Sequence, residues 1–448
     1  MRQGRCAVNI ETTPRGARVA DDLDYMPGFH NEHASEAHAG ALPIGQFSPQ
    51  AVPYGLYAEK FSGTAFTVAR RDNRRTWFYR LRPSVRQGAH RPHAQPYWLT
   101  APLAGEPAPP DPLRWSPFPI PDAPTDFIDG LRTFAANGDA ALQAGIGIHV
   151  YAANGDMRDR YLAVHDGELL FVPQQGRLLL DTECGRLAIA PGEIGVLPRG
   201  MKCRIGLPDG PSRGYVAENY GAGLRLPERG PVGSDGYAND RDFLAPVARY
   251  ETDSGSFELI SKFGGRLWRC DLRHSPLDVV AWIGTSVPYK YDLARFNAMN
   301  TVSYDHPDPS IFTVLSAPSD TAGVANLDFV IFPSRWMVAE HTFRPPWFHR
   351  NVMSEFMGLV YGAYDAKENG FEPGGASLHN GMVPHGPDAQ AHAKASSAEL
   401  KPERYTATLA FMFESRYLMK PSAWAMSSPQ RQHDYAQCWQ GLDSRFAP

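Results

Sequence analysis

Three observations predict a mainly β protein, built as two jelly-roll or β-sandwich blocks with few short helices. Apolar and aromatic residues fall in short runs separated by turn-forming pairs, the mark of strands rather than long helices. Glycine (41) and proline (40) are abundant in the 448 residues, which favours turns over continuous helix. No helical, leucine-rich or propeller repeat is present to suggest another architecture.

Taken in order, residues 1–24 are polar and aperiodic and read as a loose leader. TAFTVAR (64–70) and TWFYRLRP (76–83) have the alternation of strands. Residues 86–125 are too rich in proline and histidine for long elements and are expected to wrap a surface as an ordered loop. A helix is expected near 125–145, ahead of an IGIHVYAA strand. Residues 161–207 hold five or six short β-like runs divided by DG, QG, CG, PGE and RG turns, which points to a sandwich or barrel. Further strands follow in FELISKF, RLWRCDL and LDVVAWIG. After residue 300 come SIFTVLSA, LDFVIFPSRW, SEFMGLVYGAYD and ATLAFMFESRYLM. The division is placed near 290, giving blocks 1–290 and 291–448.

Composition narrows the function. The formal net charge is −4 with both signs scattered, so no basic stripe marks a nucleic-acid partner, and no window approaches a membrane span. Five widely separated cysteines, Cys6, Cys184, Cys203, Cys270 and Cys438, form no CxxC pair and read as reduced thiols. A cytoplasmic enzyme acting on a small molecule is expected.

In the first block, Gly192 to Cys203 resembles the second motif of the cupin jelly roll, with Cys203 where a metal-binding histidine belongs. Glu168 can match the first motif's glutamate, but aliphatic residues such as Leu162 and Val164 stand where its histidines belong. That block therefore reads as a cupin-like scaffold without metal ligands. In the second block, His349 and Glu355 are six residues apart, an even spacing that places both on one face of an extended strand. His379 and His385, also six apart, are the candidates for a third ligand, and spacing alone does not choose between them. Two imidazoles and one carboxylate suit a non-haem iron(II) oxygenase, because they leave an open face for substrate and O2. His30, His33 and His38 sit in a polar loop without an evident strand partner and read as solvated or structural.

YMPGFHNEHASEA, YDHPDPSIFTVL, FRPPWFHRNVMSEFMG and FEPGGASLHNGMVPHGPD closely resemble the homogentisate 1,2-dioxygenases, and the likeness runs from about Tyr25 to the C-terminus. The resemblance implies cupin-like domains and conversion of homogentisate and O2 to maleylacetoacetate, a step of tyrosine and phenylalanine breakdown. It implies Fe(2+) held by His349, Glu355 and His385, with His379 left to a second layer or the substrate pocket. It also implies His306 as the catalytic acid–base, Tyr364 and His385 as substrate contacts, and a hexamer built as a dimer of trimers.

Overall fold

Six of the short runs between residues 160 and 206 are strands, and their alternating side chains decide how the layers stack. In the computed structural model, which describes residues 21–448 except Glu106, His306, Asp365 and Glu368, Glu168–Gln175 is buried on both faces. Leu169 and Phe171 enter one apolar cluster with Leu162, Val164, Cys203 and Ile260. Leu170 and Val172 point the other way, into a second cluster with Phe329, Ile331, Phe356 and Phe413. A strand covered on both sides reads as a continuous apolar run rather than a clean alternation. Each such leucine or phenylalanine contributes about 1.5–3 kcal/mol on burial.

These clusters lie between three sheets. A nine-stranded sheet contains Glu168–Gln175, Ser212–Asn219 and Ile146–Ala153. A seven-stranded sheet, with Arg160–Val164, Lys202–Gly206 and Ser254–Phe263, shares the first cluster with it. A six-stranded sheet, with Ala325–Met337, Ser354–Tyr361 and Glu403–Ser415, shares the second. A fourth, four-stranded sheet is tied on by Arg80. Its buried guanidinium binds Glu183 at 2.8 Å and Asp278 at 2.9 Å. The two halves of the chain exchange edges: Lys420–Pro421 extends the nine-stranded sheet, and Leu113–Trp115 extends the six-stranded one by pairing with Ala376–His379. Trp115, fully buried, donates its indole N–H to the Ala425 carbonyl at 2.8 Å.

The protein is mainly β, as expected, with three α-helices among the described residues, the longest Ala389–Ser397. The cysteines from Cys184 onward are free; Cys6 lies outside the described residues. No helix there is long and apolar enough to cross a membrane.

Two local expectations fail. The helix expected at 125–145 is a single turn, Phe127–Gly130, capped by the Asp126 carboxylate. The chain then enters the strand Leu131–Ala136, all of it buried save half-exposed Arg132 and paired with Ile146–Ala153. Gly130 marks the change: a Cβ there would stand 2.3 Å from the Ala152 carbonyl oxygen. Tertiary burial overrides the helical look of the composition. TAFTVAR is an exposed run of turns, with Phe66 79% exposed; its alternation has no sheet to cover it. His33, by contrast, gains a strand partner, since His33–Glu36 pairs with Val279–Gly284. Its imidazole is buried and lies 3.2 Å from the Gly28 carbonyl, whereas His38 is exposed.

Candidate metal centre and active-site cavity

The strand Ser354–Tyr361 carries Glu355 into the second half's interior, between cross-strand neighbours His379 and Glu414. His349 is not on that strand, which corrects the single-strand expectation. It belongs to the preceding loop, and a two-residue bridge pins it to the loop carrying His385. The His349 N–H donates to the His385 carbonyl at 2.9 Å, and the His385 N–H returns the bond at 3.1 Å. Gly386 permits the approach, since a Cβ there would fall 2.7 Å from the Phe348 ring.

This arrangement gathers one ligand atom from each of His349, Glu355 and His385 within 4.8 Å of one another, the only such trio among the described residues. His385 Nε2 stands 2.9 Å from one Glu355 oxygen and His349 Nε2 3.7 Å from the other. Each ring's other nitrogen faces a carbonyl two residues back: His349 Nδ1 to Trp347 O at 2.8 Å, His385 Nδ1 to Val383 O at 3.0 Å. A carbonyl only accepts, so each Nδ1 carries a proton, and Nε2 is the nitrogen turned to the carboxylate, hydrogen-bonded to it at 2.9 Å in His385 and available to a metal once deprotonated. Such outer hydrogen bonds orient histidine ligands in metal sites. The donors present therefore fit a divalent cation with nitrogen and oxygen ligands.

The electrostatics agree. Burial raises the Glu355 carboxyl, but His349 and His385 outweigh it and hold the group well below the usual carboxylate range. Burial lowers the His349 imidazole, and Glu355 and the Trp347 carbonyl more than reverse that. Glu414 is pushed up to about 8, first by burial and then by the Glu355 charge, so it is a neutral acid near pH 7. His379 stays outside the trio. Its ring stacks on His385 at 4.1 Å, its Nε2 meets the Tyr435 hydroxyl at 3.2 Å, and burial holds it neutral.

A cavity of about 450 Å³ opens onto the three ligands. Phe332, Phe371 and Tyr364 line it, and Tyr364 packs edge-on against both phenylalanines. His306 lies outside the described residues; its neighbours Asp308, Pro309 and Ser310 line the same cavity. Sequence reasoning missed Asn351, Glu414, Arg114, Lys367 and Tyr435, all of which face this space. Asn351 was readable inside the His349–Glu355 interval. Arg114 and Tyr435 were not, since only the fold brings them there.

In the first half, Leu162, Val164 and Cys203 are packed in the apolar layer. Glu168 instead accepts a bond from the Leu224 N–H at 2.9 Å, and burial pushes its carboxyl up to about 7.

Two family models match successive parts of the chain. A family model described as homogentisate 1,2-dioxygenase N-terminal matches residues 24–293, and one described as homogentisate 1,2-dioxygenase C-terminal matches residues 294–446. Among solved structures, a salicylate 1,2-dioxygenase from Pseudaminobacter salicylatoxidans is similar at 10% identity and TM-score 0.27, over 64% of this chain and 80% of its own. A cupin 2 conserved barrel domain protein from Leptotrichia buccalis is similar at 9% identity and TM-score 0.25, over 64% and 88% respectively. With both family models spanning it almost end to end, the chain belongs to the homogentisate 1,2-dioxygenase family and is a dioxygenase that opens the aromatic ring of homogentisate.

Proposed function

We propose that His349, Glu355 and His385 hold one iron(II) ion and that the ring of homogentisate is opened in the cavity around them, giving maleylacetoacetate. The observation that carries this reading is the pair of committed Nδ1 atoms, which turns both Nε2 atoms toward the Glu355 carboxylate, one ligand atom of each residue lying within 4.8 Å of the others. When bound, iron(II) would leave positions for substrate and O2 and would acidify a phenol as a Lewis acid.

The chain's own residues supply the rest. Phe332 and Phe371 give the aromatic ring an apolar wall, and Tyr364 contacts the substrate at its edge. His385 touches the substrate as well as the metal. His306 takes a ring-hydroxyl proton as the general base. His379, stacked on His385, fixes that ring's plane. The proposal extends to a cytoplasmic hexamer arranged as a dimer of trimers.

The test is anaerobic reconstitution with ferrous, manganous or zinc ion, followed by O2 uptake on adding homogentisate. Uptake restored by ferrous ion alone is expected; equal uptake with zinc overturns the iron assignment. His306→Ala is expected to bind iron as the wild type does while losing most turnover. An iron-free variant would refute that division of labour.

A further inference from the structure

A second cavity of about 450 Å³ adjoins the metal cavity and shares Phe332, Tyr364 and Lys367 with it. Its charged lining is mainly cationic: Arg335, Arg344, Lys394 and Arg404 stand there against Glu399 and Glu403. Among the described residues, Lys367 is thus the one charged side chain common to both spaces. Its ammonium donates one hydrogen bond, to the Gly386 carbonyl at 2.7 Å, and makes no ion pair among the described residues. The Trp439 and Tyr435 rings lie 4.4 and 5.3 Å away. An ammonium carries three donors, so two remain for a ligand. Arg114, another cation lining the metal cavity, is already engaged. It bonds Gln432 at 2.5 Å and the Asn369 carbonyl at 3.3 Å, and lies over the Tyr435 ring at 4.2 Å.

We propose that Lys367, at the junction of the basic cavity and the metal cavity, is the specificity-determining cation that receives the carboxylate of the aromatic acid. This rests on the reading of the metal cavity as the substrate site. Gly386 adjoins the ligand His385, so the bond to its carbonyl holds the ammonium beside the metal position. Burial pushes Lys367 down to about 8, and it remains largely charged near pH 7. A carboxylate supplies the charge-assisted partner that a partly desolvated ammonium lacks, whereas a neutral side arm does not.

The experiment compares homogentisate with its uncharged isostere 2,5-dihydroxyphenylacetamide, using wild type, Lys367→Met and Lys367→Arg. KM and kcat are measured on metal-loaded enzyme, and calorimetric binding of each ligand on metal-free enzyme. Lys367→Met is expected to weaken binding and raise KM for the acid roughly tenfold or more, while changing the amide's values less than about twofold and leaving metal content intact. Lys367→Arg is expected to recover most of the acid's affinity. An equal loss for acid and amide, or loss of metal from Lys367→Met, overturns the proposal and makes Lys367 a strut for the Gly386 loop. Wild type that consumes no O2 with homogentisate would instead refute the underlying substrate reading. If Lys367→Met does not fold, Lys367→Arg with Lys367→Gln decides the matter by the same acid-to-amide ratio.

Discussion

Asn351 is the residue whose removal most sharply separates a tuned metal site from three ligands that merely lie close together. Its amide nitrogen donates to Glu355 at 3.1 Å and to Glu414 at 3.3 Å, while its oxygen accepts from the Met353 N–H at 3.1 Å. The same side chain thus restrains the liganding carboxylate and anchors the turn before its strand. Asn351→Leu keeps similar bulk and removes all three bonds. A hydrogen bond to a charged group is worth about 1.5–3 kcal/mol, and each 1.4 kcal/mol is a factor of ten. Since the bond to Glu355 is of ordinary length, metal affinity is expected to fall roughly 10- to 100-fold, the range typical when outer hydrogen bonds to metal ligands are deleted. Chelator competition under anaerobic conditions measures the affinity directly. Thermal unfolding of the metal-free proteins shows whether the fold has changed. An affinity within about twofold of wild type, on an intact fold, would refute the idea that this amide holds Glu355 in its liganding pose.

Three further outcomes follow from the structure. Gly386→Ala places a Cβ 2.7 Å from the Phe348 ring and 2.8 Å from its Cα, so the 349–385 bridge must open; metal titration is expected to show weakened binding, and wild-type affinity would contradict the bridge's role. Lys262 binds fully buried Glu218 at 2.7 Å and Asp166 at 3.2 Å, so Lys262→Met strands buried charge and is expected to cost about 3–5 kcal/mol in urea unfolding; a loss below about 1 kcal/mol would show the charges relax. Burial raises the Glu218 carboxyl, yet Lys262 and His149 outweigh it and hold the group at about 2 instead of 4.5. The native state therefore binds fewer protons than the unfolded one between these values. The resulting stability is present above about pH 4.5 and is lost as pH falls toward 2, up to about 3 kcal/mol. Glu218→Gln is expected to flatten that part of the acid-unfolding profile; an unchanged profile would remove Glu218 from the account.

The strands were legible where turn pairs bounded them and a sheet covered them. The runs between 160 and 206 had both, and so did FELISKF and RLWRCDL, which pair along nearly their full length. TAFTVAR had the alternation without the cover, and alternation alone does not make a strand. The stretch at 131–136 looked helical because nothing local announces that the Ile146–Ala153 strand will pair with it. Glu355 was placed correctly on a strand, but the even spacing to His349 held for a different reason. A loop-to-loop bridge, not one continuous strand, brings the histidine back. Lys367 and Tyr435 reach the cavity through long-range packing, and their spacing in sequence carries no trace of it.

Metal stoichiometry across four single substitutions tests the three-ligand centre most directly. After anaerobic loading with ferrous ion and removal of excess, His349→Ala, Glu355→Ala and His385→Ala are expected to retain little metal, whereas His379→Ala is expected to retain close to one ion per chain. Full metal retention by any of the first three, or loss from His379→Ala with retention by His385→Ala, would contradict the assignment.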